Sequence, residues 1–217
     1  MNKVTFLFCS LFFCFFQAKA DESKLPKFSI RFENQSLDSA LSQLVKESRC
    51  WIYYQDTIDS KSAMINQTFE DSNISQILET LLANTDYNHV VYGNGKNVII
   101  YKKKYNFSTV RDKPISITGK IVNEKDENVV GASICKICKE TMVTNLSEDN
   151  CTCTDIEGHF VISTSNPYFL VVYIGYLPRV VHISDAKMIK LEPNFELLDL
   201  PLKDWDKGMI FRYPINN

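Results

Sequence analysis

Four cysteines in the second half of the chain are the side chains best spaced for chemistry. Cys135-Lys-Ile-Cys138 and Cys151-Thr-Cys153 bring thiols into two close pairs, and four thiolates can surround one zinc ion tetrahedrally. Cys135, Cys138, Cys151 and Cys153 are therefore candidate metal ligands. Strand geometry weighs against that site. Cys151 and Cys153 share one side of an extended strand, whereas Cys135 and Cys138 fall on opposite sides unless a bulge or turn intervenes, so the four sulfurs converge only with distortion. One or two disulfides, or free thiols, fit the same spacing. A redox role for Cys135 and Cys138 lacks a following helix whose dipole would stabilise the thiolate. Of seven cysteines, Cys9 and Cys14 fall in a leader described below, and the remaining five include Cys50. An odd number leaves one unpaired.

Other chemistry is sparser. Asp155 and Glu157 form a short acidic turn, which falls short of the six to eight oxygens that calcium takes. His89, His159 and His182 share no spacing and read as packed or solvated rings. Gly131-Ala-Ser133 lacks the strand, elbow and helix that activate a hydrolase serine, and no glycine loop cradles a phosphate. No catalytic residue and no cofactor are nominated, and the chain reads as a non-enzyme. With 24 basic and 26 acidic residues and a net charge of -2, it offers no broad positive field for nucleic acid.

The elements that would carry these residues fall into two groups. Leu37, Ala40, Leu41, Leu44 and Val45 line one face of a helix, with Ser36 and Asp38 at its start. Shifted by 37 positions, Ile74, Ile77, Leu78, Leu81 and Leu82 repeat the stripe, with Ser72 as the candidate cap and Phe69-Glu70 echoing Phe32-Glu33. Extended segments flank each helix: Phe28, Ile30 and Phe32, then Trp51 to Tyr54; Ile65 and Phe69, then Val90 to Tyr92. Gly93-Asn94-Gly95 marks a turn before a last strand, Val98 to Tyr101. The unit is therefore a small duplicated strand–helix–strand domain over residues 21–104. Apolar helix faces at this spacing bury against their own sheet, which leaves strand edges as surfaces where an extended partner segment could add.

Tyr105 to Pro114 reads as a linker. After it, Ile115 to Val122, Gly131 to Ile134, His159 to Thr164, Tyr168 to Ile174, Arg179 to Ile183 and Lys187 to Leu191 are short strand-like runs, the rhythm of a β-sandwich over residues 115–193. The fold class expected is α+β. Asp155 to Gly158 suits a tight turn, and Gly175 permits a bend.

Two resemblances follow from these residues. Phe28-Ser-Ile-Arg-Phe-Glu-Asn-Gln-Ser-Leu37, the paired helix stripes and Gly95-Lys-Asn-Val-Ile-Ile-Tyr-Lys-Lys-Lys104 resemble the secretin and TonB short N-terminal domain. Ile117-Thr-Gly-Lys-Ile-Val122, Val130-Gly-Ala-Ser-Ile134, Thr154-Asp-Ile-Glu-Gly-His-Phe160 and Leu170-Val-Val-Tyr-Ile-Gly-Tyr176 resemble carboxypeptidase-regulatory-like domains. The version meant is the one at the periplasmic front of starch-utilisation-type TonB-dependent transporters of Bacteroidetes. The second resemblance implies a seven-stranded, transthyretin-like sandwich without peptidase activity. The first implies a periplasmic contact domain, which in some receptors meets an inner-membrane anti-sigma regulator.

Address agrees with that setting. Lys3, the apolar run Val4 to Phe16 and Ala18-Lys19-Ala20 have the order of a cleaved secretory signal over residues 1–20, and the run is shorter than the ~20 residues of a membrane span. Cys9 and Cys14 each follow Phe where a lipid-attachment cysteine follows a small residue. The mature chain is expected to be periplasmic, with association with the outer membrane as a further expectation. Six Asn-X-Ser/Thr sequons, beginning at Asn34, Asn66, Asn73, Asn106, Asn145 and Asn150, are incidental in a bacterium. The tail, residues 194–217, holds Phe195 to Pro201 and Trp205 to Pro214, which either dock or stay unstructured. The expected role is a protein interaction module for signalling or assembly with a TonB-dependent uptake system. The alternatives are a cysteine-based metal or thiol-redox protein and a truncated transporter lacking plug and barrel. The expected partner is an anti-sigma regulator or a TonB-dependent receptor, with no nucleic acid and no membrane span.

Overall fold

Helix starts in the first half are set by single side chains. The computed structural model describes residues 24–55, 64–103, 113–138, 143–144, 146–196 and 207–212; the leader, linker residues 105–112, Asn106, Asn145 and residues 197–206 lie outside them. Helix α1 (Leu37–Ser48) begins where Ser36, in extended backbone, accepts the Ser39 amide, and it buries the five stripe residues Leu37 to Val45. Helix α2 (Ile74–Leu82) buries its stripe likewise, but its cap is Asn73 rather than the expected Ser72. Asn73 takes the Gln76 amide while the Gln76 side chain takes the Asn73 amide, a reciprocal capping box. Ser72 instead turns its hydroxyl to the Glu70 carbonyl.

The 37-residue offset extends into the backbone. Ser36 maps onto Asn73, and Asn34 (φ 47°) onto Asp71 (φ 44°), both in left-handed conformation. Strands β1 (Lys27–Gln35) and β3 (Ile65–Asn73) pair antiparallel with Ile30 opposite Phe69 and Phe32 opposite Gln67. Phe32 and Phe69, one offset apart, meet edge to face at 6.0 Å.

Strands β2 (Trp51–Tyr54), β4 (Tyr87–Tyr92) and β5 (Asn97–Lys102) form the second sheet of this half. β5 lies parallel to β2 and antiparallel to β4, across a turn where Gly93, Asn94 and Gly95 all have positive φ. Ile52, Tyr54, Val98 and Ile100 face the helices, whereas Tyr53, Val90, Ile99 and Tyr101 face away into a second core. Burial on both faces accounts for the continuous apolar runs WIYY and VIIY, since a strand with one wet face alternates.

The second half supplies what covers that far face. Its strands are β6 (Ile115–Val122), β7 (Ser133–Lys136), β8 (Val143–Thr144), β9 (Cys151–Cys153), β10 (His159–Thr164), β11 (Tyr168–Val172), β12 (Arg179–His182) and β13 (Ile189–Lys190). Seven of them form two sheets, of order β12-β11-β7-β9 and β10-β6-β13. β11 alternates between the two interfaces: Tyr168 and Leu170 pack against the first half with Cys135 and Val180, while Phe169 and Val171 join Ile134, Phe160 and Ile162 between the two small sheets. The described residues therefore stack as the helices with the β1–β3 pair, the sheet of β2, β4 and β5, a four-stranded sheet and a three-stranded sheet. The class is α+β.

Two strands cross between the halves. β8 pairs parallel with β4 at Val91 and Tyr92, and β14 (Met209–Arg212), from the tail, pairs parallel with β2 along its whole length. The sheet of β2, β4 and β5 is thereby five-stranded, β14-β2-β5-β4-β8. Gly208 (φ 72°) admits β14, because a Cβ there would stand 2.5 Å from the Cys50 carbonyl. Gln55 ties the halves further: its side chain donates to the Val180 carbonyl and accepts the Val180 amide, both at 2.8 Å. No helix among the described residues is long and apolar enough to cross a membrane.

Candidate functional site: an open sheet edge

The cysteines do not assemble into a four-thiolate site. Cys135 and Cys151, opposite each other on β7 and β9, are joined as a disulfide, which removes two of the four candidate zinc ligands. Cys138 is half-buried and Cys153 exposed, both as free thiols. Ser133 Oγ lies 3.9 Å from Cys153 Sγ. Cys50 is a free thiol sealed in the first core, where burial pushes its pKa up to about 11 against the pull of the Ser48 hydroxyl. That environment makes an inert thiol.

The histidines stay apart. His89 Nε2 lies 3.2 Å from Ser75 Oγ on α2, a hydroxyl–imidazole contact in type. Both residues are buried, however, and burial, with Lys103 adding, pulls the His89 pKa down to about 4. A base so weak, walled from solvent, is a packing group. His182 Nδ1 accepts the Ser184 amide, starting the 3-10 turn Ile183–Asp185. The turn follows directly on β12, which ends at His182, and the expected run Lys187 to Leu191 is a strand only at Ile189–Lys190.

Asp155, Glu157 and His159 bring one ligand atom each within 4.8 Å, all exposed. Asp155 Oδ1 is already spent on the turn, taking the His159 amide at 2.8 Å and the Glu157 amide at 2.9 Å. Those backbone donors hold its carboxyl below the usual range, the His159 amide foremost. His159 Nδ1 stands 3.8 Å from Glu157 Oε2. The trio locks a hairpin. A cleft of about 450 Å3 between the halves is lined by Gln55, Tyr101, Lys103 and Arg179 among others. Two of its cations are engaged with the fold, Lys103 on the Thr85 carbonyl and Arg179 on the Lys190 carbonyl.

Among the described residues, β10, β12, β9, β14 and β8 stand at sheet edges, and one side of β6 is a further stretch with unspent hydrogen-bonding capacity. On its other side β6 pairs with β10 from Ile115 opposite Thr164 to Lys120 opposite His159. On this side, among the described residues, β13 covers only Ile121 and Val122. The Ile121 amide donates to the Gly158 carbonyl on the β10 side, while the Val122 carbonyl accepts from Leu191 on the β13 side. Since backbone groups alternate along a strand, Ser116 and Thr118 direct N–H and C=O toward the uncovered side. Beside them runs a groove of about 620 Å3 between β6 and the connector carrying residues 183–188. Gly119 lets the connector lie this close: a Cβ there would collide with the Ala186 carbonyl and crowd the Phe160 ring at 2.7 Å.

The groove has an apolar floor and a basic rim. Ile117, Phe160 and Ile183 line it, Lys120 and Lys187 flank it, and no carboxylate is among its described lining residues. Met188 and Val161 beside it are 65% and 58% exposed. Such an arrangement can take an extended chain by main-chain pairing, with side-chain pockets supplying selectivity. The alternation of Ile115 to Val122 reveals the strand in the sequence, but nothing in it reveals which neighbours the strand lacks. No protein-family model matches this chain, and no curated protein matches its sequence.

Proposed function

We propose that this chain is a non-enzymatic, periplasmic protein–protein interaction module acting in signalling or assembly with a TonB-dependent outer-membrane uptake system. In this reading residues 21–104 are a secretin/TonB-type short domain built on a duplicated strand–helix–strand unit. Residues 115–193 are a transthyretin-like sandwich of the carboxypeptidase-regulatory-like kind, to which the seven strands of the three- and four-stranded sheets correspond in number. The observation that carries the interaction role is the uncovered side of β6 beside its groove, since natural sheets usually blunt or cover such edges. The test is crosslinking in intact cells followed by fractionation. The reading requires an adduct with a TonB-dependent receptor or its inner-membrane regulator in the envelope fraction. Its absence from folded, exported protein refutes the reading.

One observation favours a second reading, thiol–disulfide exchange. Cys153 is exposed and lies two residues along β9 from the bonded Cys151, on the same side of the strand. Isolation of a mixed disulfide that disappears in Cys153→Ser would support it, and an unchanged adduct pattern would dismiss it.

A further inference from the structure

We infer that the uncovered side of β6 receives an extended protein segment in which apolar and acidic residues alternate, added as a fourth strand to the β10-β6-β13 sheet. This deepens the interaction reading and rests on it. The backbone sets the mode. Ser116 and Thr118 offer paired donors and acceptors along a straight stretch that β13 continues in line, and a strand laid there completes the ladder that β13 leaves short. The side chains set the chemistry. In an added strand, alternate residues point to opposite faces. One set meets Ile117, Phe160 and Ile183 on the groove floor, which favours apolar residues of modest size. The other set points outward past Lys120 and Lys187, the two lysines among the described lining residues. His159, also in the lining, places its Nδ1 3.8 Å from the Glu157 carboxylate. A carboxylate on the incoming strand is therefore attracted at the rim, and a lysine repelled. Exposed Met188 and Val161 add apolar surface that a bound segment would cover.

The probe is a peptide of about eight residues alternating valine and glutamate, long enough to span β6. Its controls are a peptide of the same composition in blocks and an alternating valine–lysine peptide. Binding is followed by amide hydrogen exchange on the mature protein. The expected result is protection at Ser116 and Thr118 with the valine–glutamate peptide at millimolar concentration, and with neither control. Thr118→Pro removes an N–H that β10 does not use, a substitution that edge strands tolerate, and should abolish the protection. Should that variant fold poorly, the double variant Lys120→Glu/Lys187→Glu leaves the backbone intact; it should weaken the valine–glutamate peptide by more than about tenfold and favour the valine–lysine peptide. Protection elsewhere in the fold, indifference to both variants, or a concentration-dependent dimer protecting the same amides without peptide would each overturn the inference. A receptor or regulator adduct that forms in cells regardless of Thr118→Pro would overturn it while leaving the interaction role standing. Loss of every adduct from folded, exported protein would sink both.

Discussion

At the scale of single residues, burial decides which groups react. Cys50, with its thiol raised to about 11 in the first core, and Cys153, exposed on β9, are both free cysteines with opposite prospects. At pH 8 a thiol reagent should label Cys153 within minutes and leave Cys50 untouched until denaturation, as peptide mass mapping would read. Denatured protein comprising residues 21–217 should then yield three labelled sites, and two more after reduction of Cys135–Cys151; five sites without reductant would contradict the disulfide. His89 titrates the fold. The unfolded chain binds its proton near pH 6.5, but the folded ring refuses it until about pH 4, so its contribution is complete above 6.5 and is lost as pH falls toward 4. In His89→Gln the decline in unfolding free energy between pH 7 and pH 4 should shrink by about 3 kcal/mol, measured by urea titration at each pH; an unchanged decline would place the ring in water. The sequence showed neither fate, because burial of Cys50 and His89 depends on helices and strands dozens of residues away.

At the scale of elements, local pattern carried far in the helices and less far in the strands. The stripes of α1 and α2 were legible because a period of 3.6 leaves a mark in any window of two turns. The cap of α2 was misassigned by one residue: both Ser72 and Asn73 are cap-forming types, and the 37-residue offset from Ser36 was the clue that selects Asn73. Asn73→Ala should therefore cost about 1 kcal/mol of stability in chemical denaturation. Ser72→Ala should change it by less than about 0.5 kcal/mol, and the reverse order would restore Ser72 as the cap. β6 and β10 were legible from alternation. β8 and β14 were not, since two and four residues carry too little periodicity and their partners, β4 and β2, lie far off in the chain. The open side of β6 escaped for a related reason: a strand's own residues do not say how long its neighbour is.

At the scale of the whole molecule, the two sequence units meet through a shared apolar layer and two strands, β8 and β14, that join the first half's sheet. Phe211 on β14 stacks on Tyr53 at 4.9 Å and meets Trp51 edge to face at 5.9 Å, almost fully buried. Phe211→Ala should lower stability by about 3–5 kcal/mol, seen as a lower denaturant midpoint with one cooperative transition. A loss near zero would mean that the tail does not dock on β2. Joined in this way, the halves present β6 and its groove on the far three-stranded sheet, beyond the four-stranded sheet that packs on the first half. The most direct test of the interaction role places a photocrosslinking amino acid at Thr118 in cells that export the protein. An adduct with an envelope protein, in the periplasmic or outer-membrane fraction and lost in Lys120→Glu/Lys187→Glu, is the predicted result. Folded, exported protein that forms no adduct from this position or from Ser116 would contradict the account.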